Sequence, residues 1–475
     1  MKYIKILILI VGLICSCTES YIDGYEISPN KPLVVKPSSV LIAAEVAVFG
    51  NVTGEIARVT SMWMQSQAGL SDQSKSRDGM YRLFEADNTN DFNSMYNEWM
   101  EASDDLINLT NKTSPYYAAM GMVLKGWSAA YISDIWGDMP FKEALLGDKN
   151  MNPKYDTQAE IYTSAQKLWD EALVLFEKKK EENEILPGSD DIIFDGDIEK
   201  WKTFTYLLKA RYANRISKKD PNSAINVLKF LNDGELVIAD GGKLPSLADV
   251  RKVTAYARFG EKANNANQWY AFYLKRRKYM GMGQYLVERL KKNNDPRLSY
   301  YSAKNEDDEY IGASANTNDK HEKISEIGLY LNQTDQPVAM ASFEEALFLA
   351  SEAALRKGEK ENAAKYLNQG IKVSILNVTG KYPSDVWSAK HANFTKDDID
   401  LKIIIEAKYD ALFSQVEVWS DWRRTGYPDL IANADPKANE NGIPYRLVTP
   451  INERLYNTNA VVVPDPYEKP YFCKE

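Results

Sequence analysis

Apolar positions recur at helical spacing along most of the chain. Ile161, Ala165, Leu168, Trp169, Ala172, Leu175 and Phe176 follow the i, i+3/i+4, i+7 spacing of one helical face. Thr157-Gln158-Ala159-Glu160 just before them spells a capping box, in which each end residue satisfies the other's free backbone N–H. Ser342-Phe343-Glu344-Glu345 opens a second helix in the same way, and Asp220-Pro221 supplies a cap and a first-turn proline for a third. Phe343, Ala346, Leu347, Ala350, Ala353 and Ala354 form a stripe that Gly358 ends, and Ala363, Ala364, Leu367 and Ile371 follow at once on another helix. Small residues on facing stripes let two helices pack closely, the logic of tetratricopeptide-like hairpins. Trp201 to Ile216 with Asn222 to Leu231 is a second pair, and Tyr116 to Ile135 with Glu160 to Phe176 a third. Residues 233–338, 377–397 and 427–470 mix Gly, Asn, Asp and aromatic residues with few such stripes. The pattern predicts an all-α fold, in which tetratricopeptide-like helix pairs form a scaffold and long loop-rich insertions carry the binding face.

Composition narrows the function. With 475 residues, 44% of them hydrophobic, there is ample apolar material for a core. A net charge of −9 lacks the basic footprint that nucleic acid requires. The chain holds 29 Tyr and 10 Trp but only 2 His and 3 Cys, so it is rich in residues that stack on ligands and poor in nucleophiles and zinc ligands. His321 and His391 stand far apart, outside any zinc spacing. Asp195, Asp197 and Glu199, near Asp190 and Asp191, depart from a calcium loop because Gly196 falls between the first two carboxylates. A solvated acidic turn is the expectation there, and no metal or cofactor is called for.

The N-terminus is of a different kind. Lys2 and Lys5 precede an apolar run from Ile6 to Ile14, too short to span a bilayer and shaped like a secretory signal. It ends in Ile14-Cys15-Ser16-Cys17, which resembles the lipobox of bacterial lipoproteins with Cys17 as the acylated residue. The expected organisation is a signal peptide over 1–16, a lipidated Cys17 with a polar tether over 17–36, and one large helical domain over 37–475. A lipidated Cys17 would leave Cys473 without a disulfide partner. No stretch after residue 14 reads as apolar enough to cross a membrane.

Five blocks in order over nearly the whole chain carry a family resemblance. They are Tyr131 to Phe141 with its Trp136-Gly137-Asp138-Met139-Pro140 turn, Gly196 to Arg211, and Phe343 to Ala353. Trp419-Ser420-Asp421-Trp422-Arg423-Arg424-Thr425-Gly426-Tyr427-Pro428 is the most specific, and Ile443-Pro444-Tyr445-Arg446 with Glu453 and Asn457 completes the set. The sequence resembles the SusD/RagB family of outer-membrane nutrient-binding lipoproteins, in its SusD-like branch. That resemblance implies a non-catalytic protein, lipid-anchored on the outer membrane and facing the cell exterior. It would capture an oligosaccharide, or in some branches a peptide, and pass it to a TonB-dependent transporter. A surface helical-barrel glycosidase is the alternative from another class, but no carboxylate pair stands out for it and no catalytic residue is assigned.

The conspicuous motifs look structural. Glu417 and Asp421 are one helical turn apart and would repel unless Arg423 or Arg424 lay between them, which favours an ion network tying a helix end to its loop. Trp136-Gly137-Asp138 packs a turn, with the glycine taking a positive φ. Ligand candidates are aromatics beside amide or charged neighbours, because sugar faces stack on Trp and Tyr while hydroxyls need polar partners. These are Trp63 with Gln65 and Gln67, Tyr81 with Arg82, and Asn267, Trp269 and Tyr270 in the run Asn264-Asn265-Ala266-Asn267-Gln268-Trp269-Tyr270. The competing expectation for each aromatic is burial in the core.

Overall fold

The computed structural model describes residues 35–237, 242–315, 321–432 and 442–474. Cys17, the signal-like run and nearly all of the expected tether lie outside the described residues. The principal helices are α1 (Pro37–Thr53), α2 (Glu55–Trp63), α3 (Glu101–Thr110), α4 (Pro115–Trp136), α5 (Gln158–Phe176), α6 (Ile198–Arg215), α7 (Ser223–Asp233) and α8 (Gln268–Lys275). They continue with α9 (Phe343–Arg356), α10 (Lys360–Thr379), α11 (Leu401–Ala411) and α12 (Glu417–Thr425). The strands are short: β1 (Gln67–Gly69), β2 (Met139–Pro140), β3 (Tyr155–Asp156), β4 (Ala255–Ala257), β5 (Met280–Met282) and β6 (Val338–Ala341). They pair as three two-stranded antiparallel sheets, β1 with β5, β2 with β3 and β4 with β6. The fold is all-α with these strands as clips between loops.

The three expected hairpins are all present, as α4 on α5, α6 on α7, and α9 on α10. The Thr157 capping box forms in full, with the Thr157 N–H donating to Glu160 Oε2 at 3.0 Å and the Glu160 N–H to Thr157 Oγ1 at 3.3 Å. Two cap expectations are corrected. Ser342 caps α9 by accepting from the Glu345 N–H at 3.3 Å, but the Glu345 carboxylate does not return the bond; it takes two N–H groups of Arg211 at 2.8 and 2.6 Å. Asp220 accepts from the Asn222 N–H at 2.8 Å in a turn, and α7 begins only at Ser223. The segments expected to be irregular also contain short helices, at Leu247–Val253, Gln284–Lys292 and Asp385–His391 among others.

The core absorbs most of the tryptophan. Trp63, Trp99, Trp127, Trp136, Trp169, Trp201, Trp269 and Trp419 are all at most 2% exposed, eight of the ten. They meet edge to face, Trp63 against Trp419 and Trp99 against Trp127, each with ring centroids 5.2 Å apart. The segment Pro37–Trp63 is, by length and a mean hydropathy of 1.5, apolar enough to cross a membrane, contrary to the sequence expectation. It is the two helices α1 and α2, with 61% of its most apolar window buried inside the protein, and it serves as core.

The 417–428 segment does enter a buried ion network, with Arg424 of the two expected arginines in it and with further partners from other helices. Glu417 pairs with Arg215 at 2.6 Å and Arg211 at 3.6 Å, whereas Asp421 pairs with Lys408 at 2.7 Å and Arg424 at 3.0 Å. Arg424 also grips Glu352 at 2.5 and 2.7 Å, tying α12 to α9. Against the upward push of burial, Lys408 and Arg424 hold Asp421 down at about 2. Arg423 joins neither carboxylate; it donates to the Asp134 and Tyr445 carbonyls and lies 3.5 Å over the Trp419 ring. Cys473 is a buried free thiol.

Candidate functional site

The eight sequence candidates fall into two groups, and most of them face inward. Trp63 is fully buried, and its indole N–H donates to the Asp78 carbonyl at 3.1 Å. Gln67 sits in β1 opposite Met282 and donates to Ser414 Oγ at 2.8 Å; Gln65 donates to the Ile431 carbonyl. Tyr81 is 5% exposed with its ring edge-on to Trp63, and Arg82 beside it is exposed. Asn267 is fully buried as the N-cap of α8: its Oδ1 accepts from the Trp269 N–H at 2.8 Å and its Nδ2 donates to the Gln336 carbonyl at 2.8 Å. Trp269 is fully buried and Tyr270 half-buried. Trp63 and Trp269 therefore present no ring face to a ligand, because their rings are worth more in the core.

A cavity of about 990 Å³ opens between α1, residues 189–195 and residues 258–268, and none of the eight lines it. The polar run before α8 does reach it, through Asn264, Asn265 and Gln268. On the first wall, α1 contributes Val46, Phe49 and Gly50. Phe49 meets Phe259 of the third wall edge-on, with centroids 6.2 Å apart. Phe49 is 4% exposed whereas Phe259 is half-buried, so Phe259 offers the accessible ring.

The second wall is held by one carboxylate. Asp191 is 2% exposed; its Oδ1 accepts from the Ile193 and Phe194 N–H groups at 3.0 Å each. Its Oδ2 accepts from the Gly196 N–H at 2.9 Å and from the Trp201 indole at 2.7 Å. The chain turns back through Asp195 at φ 59° and Gly196 at φ 75°, where a Cβ would stand 2.5 Å from the Pro187 carbonyl oxygen. Asp197 then caps α6 through the Lys200 N–H at 3.2 Å. The expected solvated acidic turn is thus corrected at Asp191, which points inward and organises the loop. Among the described residues no group of three His, Cys, Asp or Glu side chains is placed to hold a metal.

Beneath this wall lies Glu45, fully buried, with Oε2 accepting from the Ile192 N–H at 2.8 Å and Oε1 without a partner. Burial and the adjacent Asp191 charge push its carboxyl well above the usual carboxylate range. The third wall is fastened by Asn267 and by the Gly260 N–H, which donates to the Asn265 carbonyl at 2.8 Å. This leaves Asn264, Asn265, Arg258 and Asp195 exposed at the rim. The cavity thus combines an aromatic edge with amides, a guanidinium and carboxylates, a set suited to many hydroxyl groups on a flat ring. Among the described residues two carboxylates line it, and Asp191 spends both oxygens on N–H groups of its own loop and helix, so these two do not form a pair free for acid–base work.

Phe49, Phe259, Arg258 and Asp195 were not foreseen. Phe49 lies in an apolar stretch interrupted only by Glu45, where nothing distinguishes a wall residue from a core one, and Asp195 was visible only as part of an acidic run.

Comparison with known proteins bears on this arrangement. A SusD-like family model described as "Starch-binding associating with outer membrane" matches residues 29–450. Among solved structures, a chitin-binding protein superposes with TM-score 0.77 at 22% identity, over 93% of this chain and 100% of that one. A chitin-binding SusD homologue from Flavobacterium johnsoniae gives TM-score 0.76 at 20% identity, over 91% and 98% of the two chains. A SusD/RagB family protein from Bacteroides thetaiotaomicron gives 0.73 at 19%, over 93% and 99%. At these identities the likeness shows the fold. No curated protein matches in sequence.

Proposed function

The chain belongs to the SusD-like family, and from that premise we propose that it is a non-catalytic cell-surface protein that captures an oligosaccharide. The observation that carries the proposal is the cavity itself, where the half-buried Phe259 ring stands among Asn264, Asn265, Gln268 and Arg258. Two structural relatives are described as chitin-binding, which favours a glycan cargo over a peptide. In this proposal residues 1–16 are removed, an acylated Cys17 anchors the chain to the outer membrane, 17–36 is the tether and 37–475 the binding body. The cargo then passes to a TonB-dependent transporter on the cell exterior. The commitment of Asp191 to loop N–H groups supports binding over hydrolysis.

Isothermal titration of the purified chain against chitin- and starch-derived oligosaccharides tests the proposal. A saturable glycan signal that weakens about tenfold in Phe259→Ala, or about 1.4 kcal/mol, is the expected result. Binding that ignores Phe259→Ala removes the cavity from the proposal. Silence toward glycans with binding of peptides replaces the cargo class. Release of reducing ends from any glycan ends the non-catalytic assignment.

A further inference from the structure

A second cavity, of about 260 Å³, lies where α4 ends and α5 begins, walled by Gly137, Asp138, Ala159, Arg446, Lys469 and Lys474 among others. Arg446 is only 6% exposed. Its Nη2 donates to the Trp136 carbonyl and its Nε to the Leu447 carbonyl at 3.4 Å. No carboxylate among the described residues pairs with it, and its Nη1 has no acceptor among them. Gly137 is what admits the guanidinium: it sits at φ 85°, and a Cβ there would stand 3.2 Å from both Nη atoms. A buried cation with no carboxylate in direct contact is costly, and burial lowers the basicity of Arg446 even though the Glu468 and Asp138 charges nearby oppose that shift.

Facing it is the N-terminus of α5, a helix of 19 residues. Its Gln158 N–H donates to Asp138 Oδ1 at 2.8 Å and its Glu160 N–H to Thr157 Oγ1 at 3.3 Å. The Ala159 N–H, in the cavity wall, has no acceptor among the described residues. Lys469 and Lys474 complete the positive lining, Lys469 with Nζ 5.2 Å over the Tyr445 ring and Lys474 with Nζ 3.9 Å from Glu468. Asp138 and Glu468 line the same space, so three cations face two carboxylates, one of them already committed to the helix.

We propose that this cavity binds an oxyanion, a sulfate, phosphate or carboxylate group, between the Arg446 guanidinium and the free N–H at the start of α5. A guanidinium and a helix N-terminus both favour negative charge, and both donate along defined directions to oxygen. The proposal stands apart from the glycan cavity and does not rest on it.

The probe is inorganic sulfate, titrated into the purified full-length chain against chloride at matched ionic strength, with heat and melting temperature as readouts. Saturable binding and a rising melting temperature with sulfate, absent with chloride, are expected. Arg446→Gln weakens sulfate at least about tenfold, or about 1.4 kcal/mol. Lys469→Ala with Lys474→Ala, both on exposed side chains, weakens it more modestly and decides the matter if Arg446→Gln does not fold. A sulfated oligosaccharide displaced by inorganic sulfate, where its unsulfated counterpart is not, identifies the anion as a substituent on cargo. Binding of free sulfate alone identifies it as a small inorganic ion. Absence of saturable sulfate binding, or binding that neither variant alters, overturns the proposal.

Discussion

Replacing Asp191 by asparagine exchanges one carboxylate oxygen for an NH₂ group at a place where all four hydrogen-bonded partners are donors. Each Asp191 oxygen accepts two bonds: Oδ1 from the Ile193 and Phe194 N–H groups, Oδ2 from the Gly196 N–H and the Trp201 indole. Whichever way the amide is turned, two buried donors lose their acceptor and face another donor. An unmade bond at a buried donor costs about 1–3 kcal/mol, so the substitution should cost about 2–6 kcal/mol. The two bonds that survive also lose their charge assistance. Removing the charge beside Glu45 returns part of this, because Asp191 helps to raise the Glu45 carboxyl. A net loss of at least about 2 kcal/mol is expected, large against a typical stability of about 5–15 kcal/mol. The assay is urea unfolding followed by tryptophan fluorescence, read as a midpoint shift at unchanged slope. Asp190→Asn is the control. Asp190 accepts from the Gly188 N–H at 3.0 Å and from the Tyr117 hydroxyl at 2.8 Å, and a hydroxyl can reverse its bond to accept from the new amide. An Asp191→Asn midpoint no lower than that of Asp190→Asn would refute the reasoning.

Three further predictions test neighbouring steps. Glu45 has a folded-state pKa raised above its usual 4.5, so the stability it contributes is full below that pH and is progressively lost as pH rises toward the folded-state value. Wild type should therefore lose stability relative to Glu45→Gln as pH rises above about 4.5, by up to about 1.4 kcal/mol per pH unit until the folded-state value is reached; parallel stability curves for the two proteins contradict this. Arg424→Met leaves Glu352 and Asp421 buried with a shared counter-charge missing and should cost about 3–5 kcal/mol, with Glu352→Gln in the same chain recovering part of it. Strict additivity in that double-mutant cycle would show that the two side chains do not interact. Trp63→Phe removes a buried indole and its bond to Asp78, lowering stability by about 1–3 kcal/mol while leaving oligosaccharide affinity unchanged; weaker binding by a folded variant would restore Trp63 to the site.

The hairpins were legible because their signals are local. A stripe at helical spacing and a Thr157-to-Glu160 box are written within a few residues, and both appear in the structure. The Ser342 box was legible only by half, since Glu345 spends its carboxylate on Arg211, a residue distant in sequence. The same distance hid the partners of Glu417, which are Arg211 and Arg215 on α6 and not the arginines of its own helix. For the aromatics, sequence shows the ring and not the side of the wall on which it stands. Trp269 and Asn264 belong to one run, yet the first is fully buried and the second exposed on the cavity rim.

That contrast between anchor and rim explains how an irregular surface can recognise a ligand at all. A loop without a ladder of backbone bonds must satisfy its N–H groups some other way or stay mobile. Here two buried side chains substitute for the ladder: Asp191 gathers four donors on one wall, and Asn267 binds the Trp269 N–H and the Gln336 carbonyl on the other. Both anchors are buried, whereas the residues left on the rim, Arg258, Asn264, Asn265 and Asp195, are exposed and carry little of the fold's stability. Surface side chains of this kind can be exchanged for about 0.5 kcal/mol or less. The chemistry of the rim is therefore free to change while the two anchors keep its shape, and the eight tryptophans sunk in the core are excluded from that choice.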